Sequence, residues 1–300
     1  MNRAILLFAL LLSIAAAAQA PPPLQLPESA LPPHKFIPVF GQKIAYYDIG
    51  TGPVLVLVHG FGSQARFDWG NVLAQLAQHH RVIALDQIGF GASAKPQFDY
   101  SVQTYVDFLG EFLRDLHIQK FNLAGESLGG WISALYTIES LDSKNTGTFA
   151  LPAPQRLILE DAAGMMPLGQ SATPIPIAGT LADARSVAIV FHDKSRVTDQ
   201  LVRDTWEMKM KANDGFTDRS LWANLATSRE SVGDRLTAIT IPTLVIWGGS
   251  DEIIPIAQGR AYTAGIPGAK LAIVPECGHS PGTEKPKDFL AAALPFIDAK

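Results

Sequence analysis

The sequence predicts an α/β fold: a doubly wound, mostly parallel sheet with an inserted helical cap. Three observations lead to this prediction. From about residue 35 onward, short apolar runs alternate with stretches of helical spacing, as in a parallel sheet with crossover helices. A glycine-flanked serine, G-E-S-L-G at residues 125–129, follows one of these runs and precedes a helix-compatible stretch. Between residues 164 and 236 the alternation stops, and apolar residues recur at helical spacing without a strong strand-like run.

The first twenty residues have the features of a secretory signal peptide. Arg3 precedes the apolar stretch 4–18, and Ala18-Gln19-Ala20 has the small-residue pattern of a cleavage site. The apolar stretch is shorter than the ~20 residues that a spanning helix needs. We therefore expect cleavage after Ala20, no stable membrane anchor afterwards, and an exported protein that is periplasmic or secreted.

The spacing of apolar residues and the positions of glycine and proline predict the remaining elements. Residues 21–34 form a proline-rich leader, expected to be extended and poorly ordered, and a hairpin is expected around Gly41. Parallel strands covered on both faces are predicted where the apolar runs are continuous, at 54–59, 81–85, 121–126, 156–160, 243–247 and 270–274. Helices are predicted at 67–77, 102–116, 128–141 and 286–298. The core should then comprise 35–163 and 237–300, with the cap at 164–236.

Composition excludes several classes of protein. The 300 residues are 47 % hydrophobic and 17 % charged, which suits a globular chain with a sizeable core. A net charge of −4 gives no electrostatic reason to expect nucleic acid or an anionic membrane as a partner. Cys277 is the single cysteine, so no internal disulfide can form. The histidines show no spacing typical of metal ligands, so neither a metal nor another cofactor is expected.

The turn that contains Ser127 explains why glycines flank it in the G-E-S-L-G sequence. The predicted turn from strand to helix is so tight that side chains do not fit at the flanking positions, and the backbone of Ser127 is strained. This context is typical of a nucleophile elbow, in which the serine Oγ is held at the carboxyl end of a strand. The amide of Leu128, at the helix start, would face a developing oxyanion. Glu126 is expected to be a hydrogen-bonded supporting residue.

Other motifs follow other apolar runs. H-G-F-G occupies residues 59–62, a glycine-rich turn occupies 86–93, Asp251 follows the run ending at 247, and His279 follows the last predicted strand. The chain order is therefore serine, aspartate, histidine. This order and these positions resemble the α/β-hydrolase superfamily, from about residue 35 to the C-terminus.

The resemblance implies a role for each of these residues. Ser127 would be the nucleophile, His279 the base that takes its proton, and Asp251 the acid that orients the imidazole. The backbone amides of Phe61 and Leu128 would form the oxyanion hole.

Two points about the site stay open at the level of sequence. Asp161, after the sixth strand, is a rival for the triad acid, because some hydrolases of this fold place their acid there; the G-G-S-D pattern favours Asp251. The pocket is expected to be lined by residues from the elbow helix, the oxyanion loop and the cap. The candidates are Phe61, Trp131, Met165, Met166 and Trp206.

A serine nucleophile favours acyl transfer to water, because halide displacement or epoxide opening on this fold uses an aspartate. We therefore predict a hydrolase of small to medium, mostly apolar carboxylic esters. Hydrolases of carbon–carbon bonds in aromatic meta-cleavage products also use serine, but they typically carry a tryptophan after the histidine, where this chain has Ser280. A cofactor-free perhydrolase or haloperoxidase is a further alternative. An alternative of another class is a hydrolase-like receptor that binds its ligand with little turnover.

Overall fold

The computed structural model describes residues 21–142, 144–147, 149–165, 179–227 and 229–299. The predicted signal peptide lies outside these ranges, so export stays a prediction from the sequence. Met166, a pocket candidate, also lies outside the described residues. Within the described ranges no helix combines the length and the apolar character needed to cross a bilayer.

Eight strands form one sheet in the described part of the chain. They are β1 Lys35–Val39, β2 Gln42–Ile49, β3 Val54–Val58, β4 Arg81–Leu85, β5 Phe121–Glu126, β6 Leu157–Glu160, β7 Thr243–Gly248 and β8 Lys270–Val274. The α-helices of the same ranges are α1 Ala65–Leu76, α2 Val102–Asp115, α3 Leu128–Ser140, α4 Leu181–Ala184, α5 Asp199–Ala212, α6 Gly215–Leu225, α7 Ile256–Gly265, α8 Pro281–Glu284 and α9 Pro286–Ile297. Short 3₁₀ segments lie at Glu28–Ala30, Arg185–Val190, Lys194–Arg196 and Gly233–Ala238.

The spatial order of the strands is β1-β2-β4-β3-β5-β6-β7-β8. β1 and β2 are antiparallel around Gly41, which has the positive φ of a tight turn, and β2 is antiparallel to β4. The pairs from β4 through β3 to β8 are all parallel. The mostly parallel sheet and the hairpin are therefore confirmed, and the carboxyl ends of β3 to β8 meet at one edge, where ligand sites of such sheets lie.

Apolar side chains cover both faces of the sheet. On β3, Val56 and Val58 belong to the cluster that includes residues of α2 and α3, whereas Leu55 and Leu57 belong to the cluster that includes residues of α1 and α9. Alternate residues of a strand point to opposite faces, so a strand covered on both sides needs apolar residues throughout. This is why the run V-L-V-L-V indicates an interior parallel strand.

The proline-rich leader, residues 21–34, contains the short 3₁₀ segment Glu28–Ala30 and contacts the core. Leu24 is buried in a cluster with Phe67 of α1 and Leu201 of α5. The side chain of Asn71 donates to the carbonyl oxygen of Pro23 at 2.8 Å. Leu24 therefore gives the proline-rich segment an apolar contact with α1 and α5, which the sequence analysis did not anticipate.

Candidate active site

Ser127 lies at a strained turn between β5 and α3. Its φ of 53° and ψ of −114° lie outside the regions that non-glycine residues ordinarily occupy. A Cβ on Gly125 would lie 2.1 Å from the carbonyl oxygen of Gly129, and a Cβ on Gly129 would lie 2.1 Å from that of Val58. The surrounding backbone holds the turn, since the amide of Ser127 donates to the carbonyl oxygen of Glu160 at 2.9 Å. The glycines of the motif are thus required by close backbone approach.

Replacing Gly129 with alanine is expected to lower the free energy of unfolding by about 1 to 3 kcal/mol, because the added methyl group meets a backbone carbonyl that cannot move aside. The measurement is chemical denaturation of Gly129→Ala, compared with the control variant Gly179→Ala. At Gly179 the nearest heavy atom to an added Cβ is a carboxylate oxygen of Asp183 at 3.6 Å. Equal stabilities of the two variants would contradict the close approach.

The structure brings Ser127, His279 and Asp251 into one chain of hydrogen bonds. Nε2 of His279 lies 2.8 Å from Oγ of Ser127, and Nδ1 lies 2.7 Å from Oδ2 of Asp251. Oδ1 of Asp251 accepts from the amides of Ile253 and Ile254 at 2.8 and 2.9 Å. Because the carboxylate accepts at Nδ1, the proton of the neutral imidazole belongs there, and Nε2 is left to accept the serine hydrogen. The three residues follow β5, β8 and β7, at the carboxyl edge of the sheet.

Asp161, the rival acid, is also close. Ligand atoms of Asp161, Asp251 and His279 all lie within 4.8 Å of one another. Oδ1 of Asp161 accepts from the amide of Gly248 at 2.8 Å, while its buried Oδ2 has no partner among the described residues. Burial, and next the charge of Asp251, raise the pKa of Asp161 well above its ordinary value. The raised pKa favours the protonated, uncharged form of Asp161 beside the Asp251–His279 pair.

These three side chains also form a group that could ligate a cation, but their atoms are already engaged. Both nitrogens of His279 take part in hydrogen bonds, to Asp251 and to Ser127. An imidazole must offer a free nitrogen lone pair to a metal. The arrangement therefore suits proton transfer from Ser127 better than metal binding.

The backbone amides of Phe61 and Leu128 are free for an incoming oxygen. Neither amide donates to any acceptor among the described residues. The loop that carries Phe61 is held by Asp68, whose two carboxylate oxygens accept from the amide of Gly60 at 2.7 Å and from Oγ of Ser63 at 2.6 Å. Two unpaired amides beside a serine nucleophile are what an oxyanion hole requires.

His59, at the start of the same loop, has a structural environment. Its Nε2 accepts from the amide of Gln87 at 3.0 Å, and its Nδ1 lies 2.8 Å from the carbonyl oxygen of Gly60. The side-chain amide of Gln87 donates to the carbonyl oxygen of His59 at 2.7 Å. These bonds join the loops that follow β3 and β4 and leave neither ring nitrogen for chemistry.

A cavity of about 130 Å³ opens onto Ser127 and His279. Its apolar walls come from the loop that carries Phe61, from α1, from the segment before α5, from α5 itself and from the loop after β7. They are formed by Phe61, Phe67, Ala184, Val187, Ile189, Val190, Met208 and Ile253. Phe61 also packs at an angle against Trp222, with ring centroids 5.6 Å apart. Phe61 thus lines the cavity, as expected, and also packs against Trp222 of the predicted cap.

The other aromatic and methionine candidates lie elsewhere. Trp131 is buried behind the elbow, and its Nε1 donates to the carbonyl oxygen of Glu230 at 2.8 Å. Met165 packs against the same core cluster, and Trp206 packs against the cluster that contains Leu24. None of the three lines the cavity within the described residues. Large apolar side chains pack with one another in the core, so size and hydrophobicity alone do not identify pocket residues.

α5 supplies cavity residues that the sequence analysis missed. Thr205, Met208 and Lys209 all line the cavity, and their spacing of i, i+3 and i+4 places them on one face of the helix. Trp206 is one residue removed and therefore faces another way. The spacing was visible in the sequence, but the direction in which that face points was not.

Glu126 contributes a buried carboxyl group next to Ser127. Its Oε1 accepts from Oγ of Ser280 at 3.2 Å and lies 3.8 Å from Nε2 of His279. Burial, and next the charges of Asp68 and Glu160, raise the pKa of Glu126 well above its ordinary value. The raised pKa favours the protonated form of Glu126, which places no negative charge against an oxyanion. The hydrogen bond with Ser280 agrees with the expected role of Glu126 as a hydrogen-bonded supporting residue.

A serine on a strained elbow, at the carboxyl edge of a mostly parallel sheet and bonded to a histidine–aspartate pair, defines the class of α/β hydrolases. A family model described as "Alpha/beta hydrolase family" matches residues 55–293, and the chain belongs to this family.

Curated relatives cover nearly the whole chain. The chain is 26 % identical over 274 residues to a 2-hydroxy-6-oxo-6-(2'-aminophenyl)hexa-2,4-dienoic acid hydrolase of Metapseudomonas resinovorans, covering 89 % of this chain and 91 % of that protein. It is 30 % identical over 297 residues to an uncharacterized protein of Mycobacterium tuberculosis, covering 90 % and 82 %.

Solved structures share the fold. A meta-cleavage product hydrolase from Pseudomonas fluorescens has a TM-score of 0.78 at 24 % identity, covering 90 % of this chain and 98 % of that one. A thermophilic esterase from Thermogutta terrifontis has a TM-score of 0.70 at 23 % identity, covering 89 % and 98 %. At these identities the likeness concerns the fold, which both ester and carbon–carbon hydrolases use.

Proposed function

We propose that the protein is an exported serine hydrolase that cleaves small to medium, uncharged carboxylic esters through an acyl-enzyme. The observation that carries this proposal is the hydrogen-bond chain from Asp251 through His279 to Ser127, next to the free amides of Phe61 and Leu128. These are the parts that acyl transfer needs, in an arrangement that brings them to one reacting carbonyl.

The reaction follows from these contacts. Oγ of Ser127 attacks the ester carbonyl carbon while Nε2 of His279 takes the serine proton. The carbonyl oxygen gains negative charge and accepts from the amides of Phe61 and Leu128. When the carbon–oxygen bond to the alcohol breaks, His279 returns the proton to the leaving alcohol, and the acyl group stays on Ser127. Water then attacks the acyl-enzyme with His279 again as base, which releases the acid and restores the serine.

The charges of the cavity favour a neutral substrate. Lys209 is the one lysine or arginine among the described lining residues. Its Nζ is already paired with Asp214 at 2.8 Å and with Asp218 at 2.9 Å. A substrate carboxylate would find no unpaired cation there and would face the carboxylate of Asp218 instead.

Carbon–carbon hydrolysis is the second candidate, and the named relatives favour it. Besides the dienoic acid hydrolase above, a 2-hydroxy-6-oxo-2,4-heptadienoate hydrolase of Pseudomonas putida is 29 % identical over 278 residues. The substrates in those names are carboxylic acids, which would meet the paired Lys209 described above. Ser280 also stands where a tryptophan is expected in that branch.

The two candidates predict opposite substrate preferences. We expect kcat/KM on p-nitrophenyl butyrate to exceed that on 2-hydroxy-6-oxo-2,4-heptadienoate at least about tenfold, because the unpaired charge of the acid must be desolvated in the cavity. The measurement is steady-state kinetics on p-nitrophenyl esters from acetate to palmitate and on the dienoate. A preference for the dienoate would establish the second candidate. A single cycle of acyl-enzyme formation without turnover would indicate a ligand-binding receptor.

A further inference from the structure

We propose that Thr205 and Asp218 form a hydroxyl-binding subsite on the wall of the cavity that α5 and α6 supply. It would select esters that carry a free hydroxyl group close to the ester bond. This inference rests on the proposed function for the ester, but the subsite itself follows from contacts that the reaction does not use.

Two polar atoms of this wall are buried without a partner. Oγ1 of Thr205 and Oδ1 of Asp218 make no hydrogen bond to any described residue. The two residues are 6 % and 1 % exposed, and both line the cavity that opens onto Ser127. Buried polar groups are nearly always paired, so unpaired ones on two residues that line the same cavity point to groups that a ligand satisfies.

Lys209 fixes the orientation of Asp218. Its Nζ lies 2.9 Å from Oδ2 of Asp218 and 2.8 Å from Oδ1 of Asp214, and it donates to the carbonyl oxygen of Gly62 at 3.2 Å. An ammonium group has three hydrogens, and these three contacts use all of them. Lys209 therefore holds one oxygen of Asp218 and leaves the other free, but has no donor left for a ligand.

The free groups match the chemistry of an alcohol. Burial raises the pKa of Asp218 to about 6, so at neutral pH its Oδ1 is an acceptor that needs a donor. A ligand hydroxyl can donate to Oδ1 of Asp218 and accept from the hydroxyl of Thr205. A ligand carboxylate would be repelled by Asp218, and a ligand ammonium would lie next to the ammonium of Lys209. An apolar group would leave both polar atoms unpaired in the complex, and the site would therefore discriminate against an apolar ligand.

The subsite lies close to the reacting centre. A Cβ placed on Gly62, the residue after Phe61, would lie 3.3 Å from Oδ1 of Asp218 and 3.5 Å from Nζ of Lys209. Asp218 thus lies directly over the loop whose Phe61 amide is the proposed oxyanion donor. A hydroxyl bound here belongs near the ester group, on either its alcohol part or its acyl part.

Two pairs of esters of matched size test the inference and distinguish these two positions. One pair is 2-hydroxyethyl butyrate against propyl butyrate, and the other is ethyl 3-hydroxybutyrate against ethyl 3-methylbutyrate. For at least one pair we expect wild-type kcat/KM to favour the hydroxylated ester about tenfold or more. In Thr205→Val, which keeps the volume of the side chain, and in Asp218→Asn this ratio should fall towards one. Asp204→Asn is the matched control, because Asp204 is an exposed aspartate of α5 outside the cavity and should preserve the ratio.

Binding to Ser127→Ala by calorimetry, with the same two pairs, provides a readout that needs no turnover. Tighter binding of a hydroxylated ester, lost on adding Thr205→Val, supports the subsite even if no ester is turned over and the proposed function fails. Equal affinities within both pairs overturn the subsite, even if the wild-type protein hydrolyses every ester. A ratio that survives in both Thr205→Val and Asp218→Asn overturns it as well.

Discussion

Replacing Ser127 with alanine is expected to lower kcat for ester hydrolysis by about four to six orders of magnitude. The alanine has no Oγ, so His279 has no proton to take and no acyl-enzyme can form. Because Ser127 and its partners act as a unit, the loss should be nearly as large as that of removing all three side chains. The measurement is kcat on p-nitrophenyl butyrate, with the release of p-nitrophenol followed in the first turnover as well.

The control for this variant is Ser195→Ala. Ser195 is an exposed serine of the 3₁₀ segment Lys194–Arg196 and lies outside the lining of the cavity. Its replacement removes the same atom without touching the site, so kcat should stay within about twofold of the wild-type value. A folded Ser127→Ala protein that keeps more than a tenth of the wild-type kcat would show that another group is the nucleophile.

The strands were the most predictable part of the fold. β4, β5 and β8 begin and end where the apolar runs predicted, and the other three predicted parallel strands differ by a residue at one end. An interior parallel strand is covered on both faces, so nearly every one of its residues must be apolar, and the run stands out.

Two helices after β7 were missed for the opposite reason. α7 buries Gly259 and Tyr262 but shows no continuous apolar stripe in the sequence. One of these two buried positions is a glycine, which has no side chain and packs against the ring of Trp247. α8, from Pro281 to Glu284, is a single turn and too short to show a period. Periodicity detects helices that present an apolar face to the core, and neither of these does so.

The hydrogen-bonded residues of the candidate site could be predicted from the sequence, but the residues that line its cavity could not. Glycine-flanked turns and strand ends identify Ser127, Asp251 and His279, because parallel strands bring their carboxyl ends to one edge of the sheet. The direction in which a helix of the predicted cap, such as α5, points its faces depends on contacts between distant segments. The sequence therefore favoured Trp206 for the cavity, whereas its neighbour Thr205 lines it.

The same geometry explains why the sequence could not decide between Asp161 and Asp251. β6 and β7 are neighbours in the sheet, so residues that follow them reach the same histidine. Their surroundings differ. Asp251 accepts from two amides and from His279, which stabilises its charge, whereas Asp161 accepts from one amide and is buried with a free oxygen.

Asparagine at position 251 is therefore expected to lower kcat by about three to four orders of magnitude. The uncharged amide neither stabilises the imidazolium of His279 nor holds the tautomer that accepts the serine proton at Nε2. Asp161→Asn should lower kcat less than about tenfold, because the raised pKa of Asp161 favours the protonated acid, which the amide matches in size and charge. The two substitutions are matched in chemistry, so the ratio of their kcat values on one ester measures which carboxylate serves the histidine. A larger loss from Asp161→Asn than from Asp251→Asn would move the acid of the triad to β6.

The double variant sharpens this comparison. The charge of Asp251 is one of the causes that raise the pKa of Asp161, so its removal should lower that pKa and favour a charged Asp161. A charged carboxylate whose oxygen lies within 4.8 Å of a ring nitrogen of His279 can then supply part of the missing stabilisation. In the Asp251→Asn background, Asp161→Asn should therefore cost more than it does in the wild-type protein, by about tenfold in kcat. Equal costs in the two backgrounds would mean that Asp161 never acts on the imidazole and only holds the turn after β6 through the amide of Gly248.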